Sequence, residues 1–132
     1  MSEFAEVERD EIAVQFVRVP DGLANIRRAW DELEAVVPLR GRHFYGAFDH
    51  VADDYRACVE VREGDELAPG LESGTLPRGR YLRARLRGDP PAVYGRIGPT
   101  FDELRRQAEP DERRPSLEHY RRHDEIDLLL PI

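Results

Sequence analysis

The sequence repeats itself. When the first half is shifted by 71 positions, Asp31-Glu32-Leu33 aligns with the identical Asp102-Glu103-Leu104, and residues 55–61 align with residues 126–132 without a gap. One acidic-leucine string could match by chance, but agreement in helix phase and in the last strand favours an internal duplication. The chain must therefore fold into two similar units that share one body.

Each half has the same order of elements. In the first half, an apolar β-branched run is followed by apolar residues spaced three or four apart, which is the period of an amphipathic helix. Two further strand-like runs follow. The predicted strand, helix, strand and strand of this half are residues 12–19, 23–38, 43–48 and 55–61.

The second half repeats this order. Strict alternation predicts a half-buried strand over residues 76–86, and Pro90-Pro91 can open a helix because proline is tolerated in a first turn. The apolar face of this helix consists of Val93, Ile97, Phe101, Leu104 and Ala108. Residues 117–120 and 126–132 are the last two predicted strands.

These patterns predict an α+β fold of two β-α-β-β repeats, about 11–61 and about 76–132. Residues 62–75, rich in glycine and acids, should form an exposed connector. Each unit has one sheet face covered by its helix, so two units can pair their antiparallel sheets. We expect a single domain over residues 1–132, with a ligand cleft at the pseudo-two-fold seam between its halves.

Composition narrows the functional classes. The net charge of −7 disfavours direct binding to nucleic acid. Cys58 is the only cysteine, so neither an internal disulfide nor a cysteine-based zinc site is expected. The acidic first eleven residues do not resemble a signal peptide, and no apolar run approaches the roughly 20 residues that span a bilayer. We therefore expect a cytoplasmic protein without a membrane partner.

The sequence contains no motif for a cofactor. GxGxxG, the P-loop and GxSxG are absent, and without lysine the chain cannot form a Schiff base. His119 and His123 are four residues apart, a spacing that binds metal on a helix but not on a strand. We expect neither a cofactor nor a metal ion.

Five short segments resemble the GyrI-like small-molecule-binding family, which also supplies the effector-binding domain of AraC-type and MerR-type bacterial regulators. They are Trp30 with Leu33, residues 55–61, 76–81, 117–120 and 125–132. The resemblance covers nearly the whole chain and implies a tandem, SHS2-like fold whose seam holds hydrophobic or cationic molecules between aromatic side chains. It also implies that Glu118 is the glutamate that opposes the charge of the ligand. Only about eleven residues precede the first strand, so the standalone members are the most similar.

Glu118 and Tyr120 should point to the same face of their strand. If that face lines an apolar cleft, the partly desolvated carboxylate attracts a cation, and each aromatic face adds about 0.5–2 kcal/mol of cation–π attraction. The alternative is an ion pair between Glu118 and a surface arginine, which would contribute little.

Four other aromatic residues are candidates for ligand contact. Phe44 and Tyr45 lie on the strand that corresponds to the strand of Glu118, so pseudo-symmetry places them across the same seam. Tyr45 is the preferred aromatic wall. Trp30 lies on the buried stripe of its helix, where core packing is the alternative, and a solvated position is the alternative for Tyr81.

The leading functional hypothesis is a binding protein that senses or sequesters hydrophobic or cationic small molecules, as a monomer or homodimer. A second hypothesis is a hydrolase of cyclopropane-bearing natural products, in which Glu118 and Tyr120 would be catalytic. A third is an interaction with a protein partner, either a regulator or, as for gyrase inhibitors of the family, gyrase, supported only by the acidic connector. The sequence identifies neither the natural ligand nor a turnover reaction.

Overall fold

A computed structural model describes residues 4–38 and 40–132 of the chain. These residues form eight strands, two α-helices and one 3₁₀ turn. In chain order the elements are β1 (Ala5–Arg9), β2 (Ile12–Pro20), α1 (Leu23–Val36), β3 (Phe44–Asp49), β4 (Asp54–Glu60), β5 (Glu72–Leu76), β6 (Gly79–Arg87), the 3₁₀ turn (Ala92–Arg96), α2 (Ile97–Gln107), β7 (Ser116–Arg122) and β8 (Glu125–Pro131). Neither helix is long and apolar enough to cross a membrane.

All eight strands belong to one antiparallel sheet, in the order β1-β6-β8-β7-β3-β4-β2-β5. The strands of the first repeat, β2, β3 and β4, are neighbours in this sheet, and so are those of the second repeat, β6, β7 and β8. The two repeats meet where β3 pairs with β7. The predicted α+β fold of two β-α-β-β units is confirmed, and the β3–β7 boundary is the seam.

The edge strands β1 and β5 were not predicted. β5 occupies the end of the connector, where we expected exposed chain without a strand, and this expectation was wrong. β1 precedes the first repeat but pairs with β6 of the second, whereas β5 precedes the second repeat and pairs with β2 of the first. Each half therefore contributes one edge strand that pairs with the other half, and these two pairings join the repeats.

The two helices cover the same face of the sheet, one on each repeat. Ala29 and Leu33 of α1 are fully buried against β2 and β4. Leu104 of α2 is equally buried, against β6 and β8. The second helix begins as the 3₁₀ turn and becomes α-helical only at Ile97, later than the predicted start at Pro90-Pro91.

The other face of the sheet carries no helix, yet its apolar side chains are buried. A single cluster on this inner face draws residues from every strand, including Val7 of β1 and Leu76 of β5 at opposite edges of the sheet. The edges can share a cluster only if the sheet curls into a half-barrel. At the seam the sheet therefore has two different faces, the curled inner face and the helix-covered outer face.

Leu33 and Leu104 occupy equivalent positions in the repeats and provide a test of the single-domain prediction. Either leucine replaced by alanine should lower the free energy of unfolding by about 2–5 kcal/mol, because each truncation leaves a cavity between helix and sheet. Urea denaturation followed by tryptophan fluorescence and by far-UV circular dichroism measures this change. We expect one coincident transition in both variants.

The exposed neighbours Glu32 and Glu103 supply matched controls. Their alanine variants should stay within about 0.5 kcal/mol of the parent. If Leu33→Ala melted the first repeat and left a separate, unshifted transition for the second, the single-domain prediction would be wrong.

Candidate functional site

Glu118 lies on β7 at the seam and is held by two phenols. Tyr120, two residues further along β7, donates a hydrogen bond to Glu118 Oε1 at 2.6 Å. Tyr55 on β4 donates to the same oxygen at 2.8 Å. One oxygen of the carboxylate is thus fixed from both repeats.

The second oxygen of this carboxylate is free. None of the described residues donates a hydrogen bond to Glu118 Oε2, and this atom is not among the fully buried polar atoms that lack a partner. No arginine of the described chain forms an ion pair with Glu118 either, so the alternative of a surface ion pair is wrong. The site presents a negative charge with no compensating cation.

Aromatic rings surround the carboxylate. Trp30 of α1 donates from Nε1 to the Tyr55 hydroxyl at 3.1 Å. Its ring makes edge contacts with Tyr120, 5.3 Å between centroids, and with Phe44, 6.2 Å between centroids. Tyr94 of the 3₁₀ turn approaches Tyr120 from the other helix, at 6.4 Å. We refer to Glu118, Tyr55, Tyr120, Trp30, Phe44 and Tyr94 as the seam cluster.

The cluster lies where solvent can reach it. Trp30, Phe44, Glu118 and Tyr120 are half-buried, and 48% of Tyr94 is exposed. Elements from both repeats contribute, so the cluster bridges the two units on the helix-covered face.

Glycine at position 46 leaves room for this arrangement. Gly46 pairs directly with Glu118 across the seam, and a Cβ atom there would overlap both Glu118 Oε1 and the Tyr55 hydroxyl. Gly46 pairs with Ala57 of β4, and Glu118 pairs with Leu128 of β8. Because Ala57 and Leu128 are equivalent under the 71-residue shift, Gly46 is the counterpart of Glu118 in the first repeat. The seam therefore holds one carboxylate, not two that would repel each other.

Burial sets the electrostatics of the cluster. Loss of solvent raises the pKa of the Glu118 carboxyl above its ordinary value of 4.5, against the opposing effect of the hydrogen bonds from Tyr120 and Tyr55. Burial, followed by the negative charge of Glu118, raises the pKa of Tyr55 and of Tyr120 well above 10. The phenols therefore stay protonated and remain hydrogen-bond donors at neutral pH.

The predicted site residues fall on two faces of the sheet. Glu118, Tyr120, Phe44 and Trp30 come together as expected, but Tyr45 and Tyr81 belong to the buried cluster of the inner face. Tyr45 does lie across the seam, on β3, but on the inner face, so it does not form an aromatic wall beside Glu118. The 71-residue shift would align Glu118 with Ala47, on the face of Tyr45, whereas the strands align it with Gly46. A slip of one residue moves every side chain of a strand to the opposite face.

Tyr81 is also not solvated, which was the alternative for this residue. It is fully buried, donates from its hydroxyl to the carbonyl of Pro77 at 2.7 Å, and lies 5.0 Å from the Arg114 guanidinium. Tyr81 is therefore a packing residue of the inner face.

Sequence reasoning missed Tyr55, Tyr94 and Gly46. Tyr55 alternates with Ala57 and Val59, which pack under α1, and this alternation could have placed it on the helix-covered face. The exposure of Tyr94 and the close approach at Gly46 have no signal in a single sequence.

A separate cavity of about 220 Å³ lies beside the end of α1 and the connector. Its lining includes Gln15 and the Arg42–Asp65 ion pair, 2.5 Å, and contains no aromatic side chain. Because this cavity offers no aromatic surface, we assign the candidate ligand site to the seam cluster. Within the described residues, no group of His, Cys, Asp and Glu side chains could hold a metal ion.

The curled eight-stranded sheet with one helix on each repeat is shared with effector-binding folds. Residues 26–132 match the model of Cass2, the integron-associated effector binding protein, and the chain belongs to this GyrI-like family. The predicted resemblance is therefore confirmed. No curated protein sequence matches the chain.

Solved structures share this fold at low sequence identity. The integron cassette protein of Vibrio cholerae superposes with a TM-score of 0.74 at 14% identity, over 97% of this chain and 94% of that one. SAV2435 bound to tetraphenylphosphonium gives a TM-score of 0.65 at 15% identity, over 98% and 93%. EcmrR in a complex with DNA gives 0.66 at 14% identity, and the match covers 97% of this chain but only 56% of that one.

Gly46→Ala tests the packing of the seam. We expect the free energy of unfolding to fall by roughly 1–3 kcal/mol, because the new methyl group must displace Glu118 and Tyr55. Thermal or urea denaturation gives the value. Gly95→Ala is the matched control, since a Cβ at Gly95 would meet no atom within 4 Å. Equal stability of the two variants would contradict the close approach at Gly46.

Proposed function

We propose that the seam cluster binds hydrophobic, positively charged small molecules, and that the protein senses or sequesters them. One observation carries the proposal: a half-buried carboxylate lies among aromatic rings with one oxygen unbonded, and no cationic side chain of the described residues is within ion-pair distance of it. A charge in such surroundings is stabilised by any cation that enters.

Two contributions favour a hydrophobic cation over other ligands. Coulomb attraction at the partly desolvated Glu118 is stronger than in water because the effective dielectric constant is lower. The rings of Trp30, Phe44 and Tyr94 offer apolar surface and about 0.5–2 kcal/mol of cation–π attraction each. Neither contribution requires a fixed ligand shape, so the site suits a range of flat or multi-ring cations.

The comparisons agree with this proposal. The family description is that of an effector binding protein, and one structural neighbour carries tetraphenylphosphonium, a hydrophobic cation. The neighbour EcmrR is in a complex with DNA, which suggests the sensor version of the role for a chain that acts together with a DNA-binding partner. A cytoplasmic location and a monomeric or homodimeric state stay predictions.

Glu118→Gln tests the role of the charge. The amide keeps the size of the side chain and can still accept from both phenols, so the protein should fold, but affinity for rhodamine 6G or tetraphenylphosphonium should fall about tenfold or more. Fluorescence titration measures the dye, and isothermal titration calorimetry measures the phosphonium.

Glu34→Gln is the matched control, because Glu34 is exposed on α1 and its replacement makes the same change in net charge. It should bind both cations like the parent. Unchanged affinity in Glu118→Gln, with binding intact in the parent, would overturn the assignment of the site.

The pH dependence of binding gives an independent test. A permanent cation such as tetraphenylphosphonium keeps its charge, so any loss of affinity must come from the protein. Because the pKa of Glu118 is raised, protonation begins at a higher pH than for an ordinary carboxyl. Affinity should therefore decline as the pH falls through that raised pKa and be constant above it. Glu118→Gln should show no such decline, and a flat profile in the parent protein would contradict the proposal.

The hydrolase hypothesis uses the same residues. A carboxylate with a raised pKa beside two protonated phenols is an arrangement that can activate water or protonate a leaving group. Hydrolysis of a cyclopropane-bearing electrophile above background, lost in Glu118→Gln, would establish turnover. The gyrase hypothesis has less support, because the connector acids Asp65 and Glu72 are paired with Arg42 and Arg18.

A further inference from the structure

The first part of the connector forms neither helix nor strand, but hydrogen bonds fix it against the first repeat. The buried side chain of Gln15 on β2 donates from Nε2 to the Glu66 carbonyl at 2.9 Å and accepts from the Ala68 amide at 3.0 Å. Arg42, which precedes β3, donates to both carboxylate oxygens of Asp65, at 2.5 and 3.3 Å. Polar contacts at Asp65, Glu66 and Ala68 therefore determine how closely the connector approaches the sheet and α1.

These contacts border the cavity of about 220 Å³ beside the end of α1. Apolar side chains from the ends of α1 and β4 and from the connector line one part of it. They are Val36, Val37, Pro38, Val59, Val61 and Ala68. Val37 and Val59 are buried in the core under α1, whereas 41% of Val36 is exposed. Apolar surface that faces water or empty space is stabilised when apolar atoms cover it, so this wall favours a ligand with an apolar body.

The charges that line the cavity disfavour a charged ligand. Arg42 and Asp65 neutralise each other in an ion pair whose side chains are 16% and 20% exposed. Glu60 and Glu66 also line the cavity, and neither forms an ion pair with a described residue. An anion would meet their negative charge, and a cation would gain little from it, because Glu66 is exposed, Glu60 is half-buried, and water weakens such an attraction. Either ion would also lose hydration against the apolar wall.

We propose that the cavity binds an uncharged small molecule, with an apolar body against the valines and a hydroxyl or carbonyl oxygen that accepts a hydrogen bond from Arg42. The Arg42 guanidinium has N–H groups beyond the two that bond Asp65, so it can donate to a further acceptor without losing its ion pair. An apolar cavity of about 150 Å³ binds benzene, so about 220 Å³ suits a ring with a short polar substituent. No residue of the seam cluster lines this cavity, which makes it a second site, separate from the proposed cation site.

Titration with 2-phenylethanol, followed by NMR of the valine methyl groups, tests the proposal. The aromatic ring of this probe shifts the resonances of methyl groups that it contacts. We expect saturable shifts at Val36, Val37, Val59 and Val61, and none at Val14, which is buried on the inner face. Phenylacetate and 2-phenylethylammonium have nearly the same shape but carry a charge, so each should bind at these valines at least about tenfold more weakly.

Two variants fill the cavity from different walls. Ala68→Leu adds apolar atoms from the connector and keeps the backbone amide that Gln15 binds, and Val36→Phe adds a ring from the end of α1. Each should weaken binding of 2-phenylethanol about tenfold or more, because the new side chain occupies the volume of the ligand. Ala24→Leu is the matched control, since Ala24 is exposed on the first turn of α1 and does not line the cavity. It should bind the alcohol like the parent.

Circular dichroism checks that each variant folds, and one folded filling variant is sufficient for the test. Shifts that never saturate, shifts centred on Trp30 instead of the valines, or equal affinity in the parent and a folded filling variant would overturn the proposed site. Tighter binding of phenylacetate or 2-phenylethylammonium than of the alcohol at the valines would overturn the preference for an uncharged ligand. Binding of rhodamine 6G in the same samples reports on the proposed cation site separately.

Discussion

The pairing of β3 with β7 is the interaction on which the rest of the structure depends. It joins two repeats, each with only one helix-covered face, into a single sheet, and it sets Gly46 directly against Glu118. Symmetric repeats would place like side chains together at this point. Because one repeat has glycine where the other has glutamate, the seam gains an isolated charge and the space to orient it.

Much of the fold can be predicted from patterns in the sequence. The shift that aligns Asp31-Glu32-Leu33 with Asp102-Glu103-Leu104 shows which positions of the two helices are equivalent. It therefore predicts which side of each helix packs against the sheet. It does not fix the strands that follow, because loops between helix and strand can differ by one residue. Such a difference separates β3 from β7, and for this reason Tyr45 lies on the face of the sheet opposite to Glu118.

Other features depend on contacts that no local pattern records. β1 alternates acidic and half-buried residues, and β5 contains serine and glycine, so neither segment looks like a strand by itself. Both are edge strands, where outward charges and small residues are common and only the partner supplies pairing. The reciprocal exchange of these edges, from one repeat to the other, is a property of the assembled sheet.

Adjacent side chains of a strand point to opposite faces of its sheet, so β7 contributes polar groups to both faces. Glu118 and His119 are adjacent, so one faces the aromatic rings of the outer face and the other faces the arginines of the inner face. Among the described residues, the carboxylate has no cation within ion-pair distance and the imidazole N–H has no acceptor. A rigid sheet with buried cores on both faces can keep two such unsatisfied groups in place, because the apolar packing around them offsets the free energy that they cost. Exposed loops could not keep either group away from water, and this is why both groups lie at the middle of the sheet.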